Sequence, residues 1–458
     1  MIFYYTALFI GFFVLGLFLR LSRSVFHKLA EFTISLLDAI LSNLDEDKKI
    51  KEVQKRTNKL MIALFKVVGA IIISLVLCSV PIVLYSIFTK TAYNDLDFSS
   101  FYPILVLSAG ATVPFIIPLP KKNKSSYSEL SQLIHRMALD NYNVANKLFK
   151  KEIKKMNKKQ LNERQHFVIV SGLARAGTTS LMNDIAKVQG FTSLSYANMP
   201  FVMSPNIWRK FYNPKSGKLK ERSHKDGIKI GYDSNEALEE FFFKAKAHDS
   251  FIQQDCLTEY EVSPETYNDY LNYQTIIKLD DQKLYLAKNN NFILRYKSLR
   301  AFNDDFLMVI MYREPLAHAA SLFEKHKEYK ELQTKDPFVM EYMNWLGHHE
   351  FGLNQKFFKF QDSPYENNYE KNSLNYWLKN WIYYYSYVIE IDHPNTILIN
   401  YDDYCMSPEK VVGDVISKTP IEAKLPELKP FHNSRKINLD YNESLYEEAI
   451  RLFQKLNK

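Results

Sequence analysis

Hydrophobic residues fall into two regimes along this chain: long uncharged runs before residue 125 and short alternating runs after residue 165. Ile2 to Leu19 is apolar and closes at Arg20, and Val67 to Phe88 is uncharged between Lys66 and Lys90. Phe101 to Pro120 is a third apolar run, interrupted by Pro103, Pro114 and Pro118 and closed by Lys121 and Lys122. About 20 apolar residues cross a bilayer core, so the pattern predicts three membrane spans, at about 2–19, 67–88 and 101–120. No basic residue precedes the first apolar core and no small-x-small site follows it, which argues against a cleaved signal peptide.

Helical periodicity continues from Ser126 to about Met156, and the stretch "NKKQLNERQ" leads out of it. The apolar run up to Val170, "KLYLAK", "FLMVIMY" and "NTILINY" read as strands. Leu181 to Val188, "FILRYKSLRAF", "PLAHAASLFEKH" and "WLKNWIYYYSYVIEI" read as helices. Strands alternating with helices predict an α/β fold, a P-loop-like parallel sheet flanked by helices, here preceded by an all-α membrane region. In such a sheet ligands bind beyond the carboxyl ends of the strands. The expected division is 1–125 for the membrane region, 126–165 for a basic helical linker and 166–458 for the α/β domain.

Charge gives the pattern a direction. The first connection holds nine basic residues from Arg20 to Lys59, whereas residues 89–100 hold only Lys90. Positive charge stays inside, which puts the amino terminus outside and everything after Lys121 in the cytoplasm. Three dispersed cysteines, Cys78, Cys256 and Cys405, suit a reducing compartment and offer no zinc spacing. The net charge of +8 gathers at Lys121, Lys122 and Lys124 and in "KLFKKEIKKMNKK". Such a surface suits anionic lipid headgroups or a solvated helix face. No nucleic-acid recognition motif accompanies it.

The stretch "VIVSGLARAGTTSLMNDI", residues 168–185, places Gly172 and Gly177 as in a phosphate-gripping loop between strand and helix. That geometry aims backbone N–H groups and a helix amino terminus at an anion. The nucleotide-triphosphatase loop has a lysine after its second glycine; here Thr178 stands in that place. A second constellation follows the strand "DDFLMVIMY": Arg313 at its end, Pro315 in the first helical turn and Ser321 two turns in. An arginine fork and a hydroxyl can grip a second phosphate. Together they suggest a ligand with phosphate groups at two ends.

At these residues the chain resembles the bacterial branch of the sulfotransferases that use 3′-phosphoadenosine 5′-phosphosulfate (PAPS). The family's loop is met by Ala174, Arg175, Ala176, Gly177, Thr178 and Thr179, and its second motif by Arg313, Glu314, Pro315 and Ser321, with Glu314 in place of the usual Asp or Asn. "LAKNNNFILRYKSL", "YWLKNWIYYY" and "INYDDYCMSP", with Tyr401, Asp403, Cys405 and Pro408, add to the likeness over about residues 166–420. The resemblance implies that Arg175, Ala176, Gly177, Thr178 and Thr179 hold the 5′-phosphosulfate and that Arg313 and Ser321 hold the 3′-phosphate. Residues 166–458 would then be a sulfotransferase-like catalytic domain, needing PAPS as co-substrate and no metal. The acceptor would be a hydroxyl of a lipid, a glycan or another membrane-associated molecule.

Sulfuryl transfer asks for positioning, neutralisation of the leaving phosphate and a base for the attacking hydroxyl. By the resemblance Arg175 would neutralise the leaving group; Lys288 at the end of "LYLAK" matches a family lysine and reads either as an aid to the same charge or as one half of a surface salt bridge. Residues 222–244 supply His224, Asp226, Asp233, Glu236, Glu239 and Glu240. His224 and Glu236 are the candidates for the base, with Glu239 and Glu240 read as a solvated helix face. "NWLGHHEFG" invites a metal reading, but adjacent histidines point in different directions. The aromatic cluster from Trp377 to Tyr387 reads as core, and Arg435 and Lys436 as residues that could close over the nucleotide. Two alternatives remain: a P-loop kinase or nucleotidase, with "TILINYDD" ending a metal-binding strand at Asp402, and a non-catalytic nucleotide-binding membrane scaffold.

Overall fold

A computed structural model describes residues 1–92, 95–118, 127–156, 166–212, 220–221, 229–230, 237–278, 283–361, 364, 367–391, 393–431 and 439–457. The chain divides into two compact units, Met1–Met137 and Ala138–Lys458.

The first unit is helical. Helix α1 (Ile2–Leu21), α2 (Arg23–Leu41), α3 (Glu46–Thr89) and α4 (Phe101–Ile116) follow in order. By length and composition α1 and α3 can cross a membrane, and only 17% and 28% of their apolar windows are buried, unlike the core helix of a soluble domain. The third expected span forms a helix of 16 residues with Pro114 inside it. At 1.5 Å per residue that is about 24 Å, short of a bilayer core of about 30 Å. The run Val67–Phe88 is the second half of α3, whose first half is charged and packs on α2. There Arg56 Nη1 donates to the Ser35 carbonyl (2.7 Å) and hydroxyl (2.8 Å) and stands 3.9 Å from Asp38. Helix α1 meets α3 and α4 through glycines: a Cβ on Gly11 would lie 2.4 Å from the Cys78 carbonyl oxygen, and one on Gly16 would lie 2.3 Å from that of Ala111.

The second unit is the expected α/β fold. Its sheet contains β1 (Phe167–Ser171), β2 (Phe191–Thr192), β3 (Leu284–Lys288), β4 (Leu307–Tyr312) and β5 (Thr396–Asn400) in the spatial order β2-β3-β1-β4-β5, with every pairing parallel. β1 and β4 are buried along their whole length, which is why they read as unbroken apolar runs. The side chains still alternate. Val168, Val170, Leu286, Val309 and Met311 pack on helix α5 (Thr178–Ile185) and on the segment from Tyr401 to Ile416. On the other face Phe167 meets Tyr270 of helix α6 (Pro264–Lys278), and Tyr312 meets Tyr385 of helix α8 (Leu374–Glu390). Helix α7 (Pro315–Lys335) leaves β4 on that side and packs on α8.

From β1 the chain passes to β2 on one side of the sheet, and from β4 it passes to β5 on the other. The connections after these two neighbouring strands therefore diverge and open a crevice at their carboxyl ends. The periodicity over residues 126–156 resolves into two helices, Glu129–Leu139 and Tyr142–Ile153, separated at Asp140 and Asn141.

Candidate functional site

The glycine loop lies at the mouth of that crevice. Gly172 has φ +139°, and a Cβ there would meet the Met311 carbonyl oxygen of β4 at 2.5 Å. Gly177 has φ +93°, and its Cβ would meet the Tyr401 ring at 2.4 Å. Both positions combine a left-handed backbone with a close neighbour, so only glycine fits. Thr178 and Thr179 open α5, whose first N–H groups have no acceptor within the helix and face the anion expected there.

Arg175 is the non-glycine exception, at φ +73°. Its Nε donates to Ser321 Oγ at 3.3 Å. The structure thus joins two residues that the resemblance assigns to opposite ends of the ligand. Arg313 is buried, its guanidinium carbon 4.8 Å from the centre of the Tyr401 ring. Its Nε has no hydrogen-bond partner, and no carboxylate among the described residues forms an ion pair with it. Asp305, a conceivable partner, does not reach it. Glu314 is explained by capping: its carboxylate accepts from the N–H groups of Leu316 (3.1 Å) and Ala317 (2.6 Å) and from Tyr446 Oη (3.0 Å).

Two contributors were given no site role from the sequence. Tyr401, noted only as part of the family-like stretch, closes under Gly177 and stacks on Arg313. His318 is fully buried and bonds the Ala174 carbonyl through Nε2 at 2.8 Å. Burial pushes it down to about 3, and Arg313 and Arg175 add to the shift, so it stays neutral and braces the loop. Its position three residues before Ser321 on one helix was the available signal.

Lys288 ends β3 beside Val170 of β1. It shares a pocket with Glu240, Asn290, His348 and Glu350. Glu239 and Glu240 are buried, which corrects their reading as a solvated face. Glu239 accepts from Tyr270 Oη (3.1 Å), Tyr285 Oη (3.0 Å) and Asn289 Nδ2 (3.3 Å). Burial pushes it up to about 7, against the opposing pull of these donors. Glu240 takes both arms of Arg295, at 2.8 and 2.7 Å. Partners from three other segments stabilise what local sequence would have left in water. His224, Glu236, Asp226, Asp233, Arg435 and Lys436 lie outside the described residues. His348 and His349 do diverge, the first toward Glu350 and the second toward the Asn354 carbonyl. The aromatic stretch of α8 is core, with Trp377, Trp381, Tyr384, Tyr385 and Tyr387 buried.

The geometry does not favour the kinase alternative. β5 pairs only with β4, two strand positions from β1, and Asp402 beyond it is exposed.

No family model matches the chain, and no curated protein matches it. Among solved structures, sulfotransferase STF1 of Mycobacterium tuberculosis H37Rv is similar at a TM-score of 0.38 and 13% identity, covering 71% of this chain and 82% of its own. Sulfotransferase STF9 of Mycobacterium avium is similar at 0.34 and 11%, covering 81% of this chain and 86% of its own. At these values neither similarity assigns a fold or an activity.

Proposed function

We propose that this chain is a membrane-anchored sulfotransferase that moves a sulfuryl group from PAPS to a hydroxyl of a membrane-associated lipid or glycan. The observation that carries the reading is Arg313. A buried guanidinium without a carboxylate, beside an anion-binding loop, is costly unless an anion completes it. A phosphate at the 3′ position meets that need, with Ser321 as the second donor. Gly177, Thr178 and Thr179 would offer N–H groups to the 5′ end, beside Ala176, whose own N–H donates to the Leu173 carbonyl at 3.2 Å, and Lys288 lies on the adjoining strand. Arg175 then leaves Ser321 for the 5′ end or stays and serves both phosphates. His224 and Glu236, the base candidates named by the sequence, lie outside the described residues.

The domain division 1–125, 126–165 and 166–458 belongs to the same proposal, as do the third span at 101–120, the external amino terminus and the cytoplasmic α/β domain. The asymmetry of basic residues supports that orientation. Tethering to apolar helices raises the effective concentration of membrane-associated hydroxyls over soluble ones.

Isothermal titration of the detergent-solubilised protein with adenosine 3′,5′-bisphosphate, with ATP as competitor, tests the donor site. Arg313→Ala should weaken binding about 100-fold or more, the usual cost of losing a buried charge pair, while ATP binds weakly throughout. Preference for ATP, or indifference to Arg313, would remove the PAPS reading. Transfer confined to water-soluble acceptors would remove the membrane-associated acceptor.

A further inference from the structure

Beside the carboxyl end of β1 a second set of polar side chains adjoins the donor site at Lys288. Lys288 is followed by Asn289, whose N–H donates to the Val170 carbonyl at 3.0 Å. Ser171 Oγ reaches the Asn290 carbonyl at 3.5 Å. Asn290 Nδ2 donates to Glu350 Oε1 at 3.3 Å, and the same oxygen lies 3.4 Å from His348 Nδ1. Lys288, Asn290, His348 and Glu350 line one pocket. Three hydrogen bonds, through Glu350 and Asn290, thus connect His348 to Ser171, the residue just before the loop.

We propose that His348, oriented by Glu350, is the general base that takes the proton from the acceptor hydroxyl, an inference that rests on the sulfotransferase reading above. Burial alone would raise the Glu350 carboxyl, but His348 and Lys288 hold it down at about 2. Glu350 is therefore a fixed anion and a poor base. Its contact draws the imidazole proton to Nδ1 and leaves the Nε2 lone pair for the acceptor. The His348 side chain keeps 23% of its surface exposed, enough for an acceptor to reach. By contrast His318, the histidine nearest the loop, is sealed in and already bonded through Nε2.

The segment carrying the pair is held firmly. Asn354 Nδ2 donates to the His348 carbonyl (3.0 Å), and the Gly352 N–H donates to His326 Nδ1 (3.2 Å) on α7, the helix that also carries Ser321. A base fixed to the element that grips the donor keeps the attacking oxygen and the sulfur in register. In the step, the acceptor oxygen forms a bond to sulfur as the bond from sulfur to the 5′-phosphate oxygen breaks. The electron pair leaves with the bisphosphate, and the acceptor proton passes to His348 Nε2 and then to water.

A base matters for a hydroxyl that must lose its proton during the reaction and not for one already ionised. Sulfuryl transfer from radiolabelled PAPS is therefore measured to n-octyl glucoside, an alcohol, and to 4-nitrophenol at mildly alkaline pH, where it is a phenolate. His348→Gln should lose about 10²–10⁴-fold on the alcohol and keep its rate on the phenolate and its bisphosphate affinity. Glu350→Gln should lose less, in the same selective way. Unchanged alcohol transfer in His348→Gln, or equal losses on both acceptors, would overturn the proposal. Loss of bisphosphate binding in both variants would overturn it too, placing the pair in the architecture alone. So would a wild type that binds the bisphosphate but transfers to neither probe, since no hydroxyl is then activated. A wild type that does not bind the bisphosphate defeats the sulfotransferase reading itself, a separate outcome read before any variant is made.

Discussion

In the helical unit an added Cβ at Gly16 would stand 2.3 Å from the Ala111 carbonyl oxygen, and in the α/β unit one at Gly172 would stand 2.5 Å from that of Met311. The distances are alike, but the backbones are not. Gly16 lies inside α1 with an ordinary helical conformation, whereas Gly172 has φ +139°. In the helices glycine supplies space alone, and two helices in contact can move apart to accept a methyl group. In the loop glycine supplies space and handedness together, and β4 cannot retreat because β5 pairs with its other edge. The same residue therefore marks a tolerant contact in one unit and an intolerant one in the other.

Gly172→Ala should break the α/β unit hardest. It adds backbone strain of about 1–3 kcal/mol to an overpacking cost of similar size, for a total near 4 kcal/mol. Denaturation followed by tryptophan fluorescence should show that unit's transition moving far down, with bisphosphate binding lost. A variant that unfolds like the wild type would mean that the loop can leave β4, and the contrast with the helices would fail.

Solution pH separates the units differently. Glu239 titrates near 7 in the folded protein, against an ordinary value of 4.5. The folded state therefore binds the extra proton between those values. Its contribution to stability is fullest below about pH 4.5, falls as pH rises to about 7 and is level above; at 1.36 kcal/mol per unit the loss is about 3 kcal/mol. Glu239→Gln should flatten that decline while keeping an acceptor oxygen for one tyrosine hydroxyl and offering its amide N–H to the oxygen of the other. Urea titrations between about pH 5 and 8 check it, and equal slopes in wild type and variant would refute the role of Glu239.

What the sequence could convey depended on how far each residue's partners lie along the chain. β1 and β4 were legible because strands buried on both faces become apolar runs, β3 and β5 as short apolar runs between polar ends, and the loop because its glycines are local. β2 was missed because two residues carry no period. The amphipathic helix α2 and the charged half of α3 were missed because only apolar runs announce a span. The contacts of Tyr401, more than two hundred residues from Gly177, and the burial of Glu239 and Glu240, bonded from Tyr270, Tyr285 and Arg295, were invisible for one reason: their environment is assembled from distant segments. Glu314 was the opposite case, a departure from the family's residue whose capping role depends on its own helix.

The smallest expected effect tests whether space alone matters in the helices. Gly69 lies in α3 with nothing within 4 Å of its would-be Cβ, in contrast to Gly16 on α1. Gly16→Ala forces a methyl group against backbone and should cost about 2 kcal/mol, within the usual range for overpacking. Gly69→Ala meets nothing and removes a helix-weakening residue, so it should be neutral or stabilise by up to about 1 kcal/mol. Thermal unfolding in detergent, followed by the helical signal, ranks the two. If both variants lose stability equally, glycine serves α1 and α3 through backbone flexibility and not through clearance. The helical unit would then resemble the loop, and the distinction between the two units would have to rest on the loop's left-handed backbone alone.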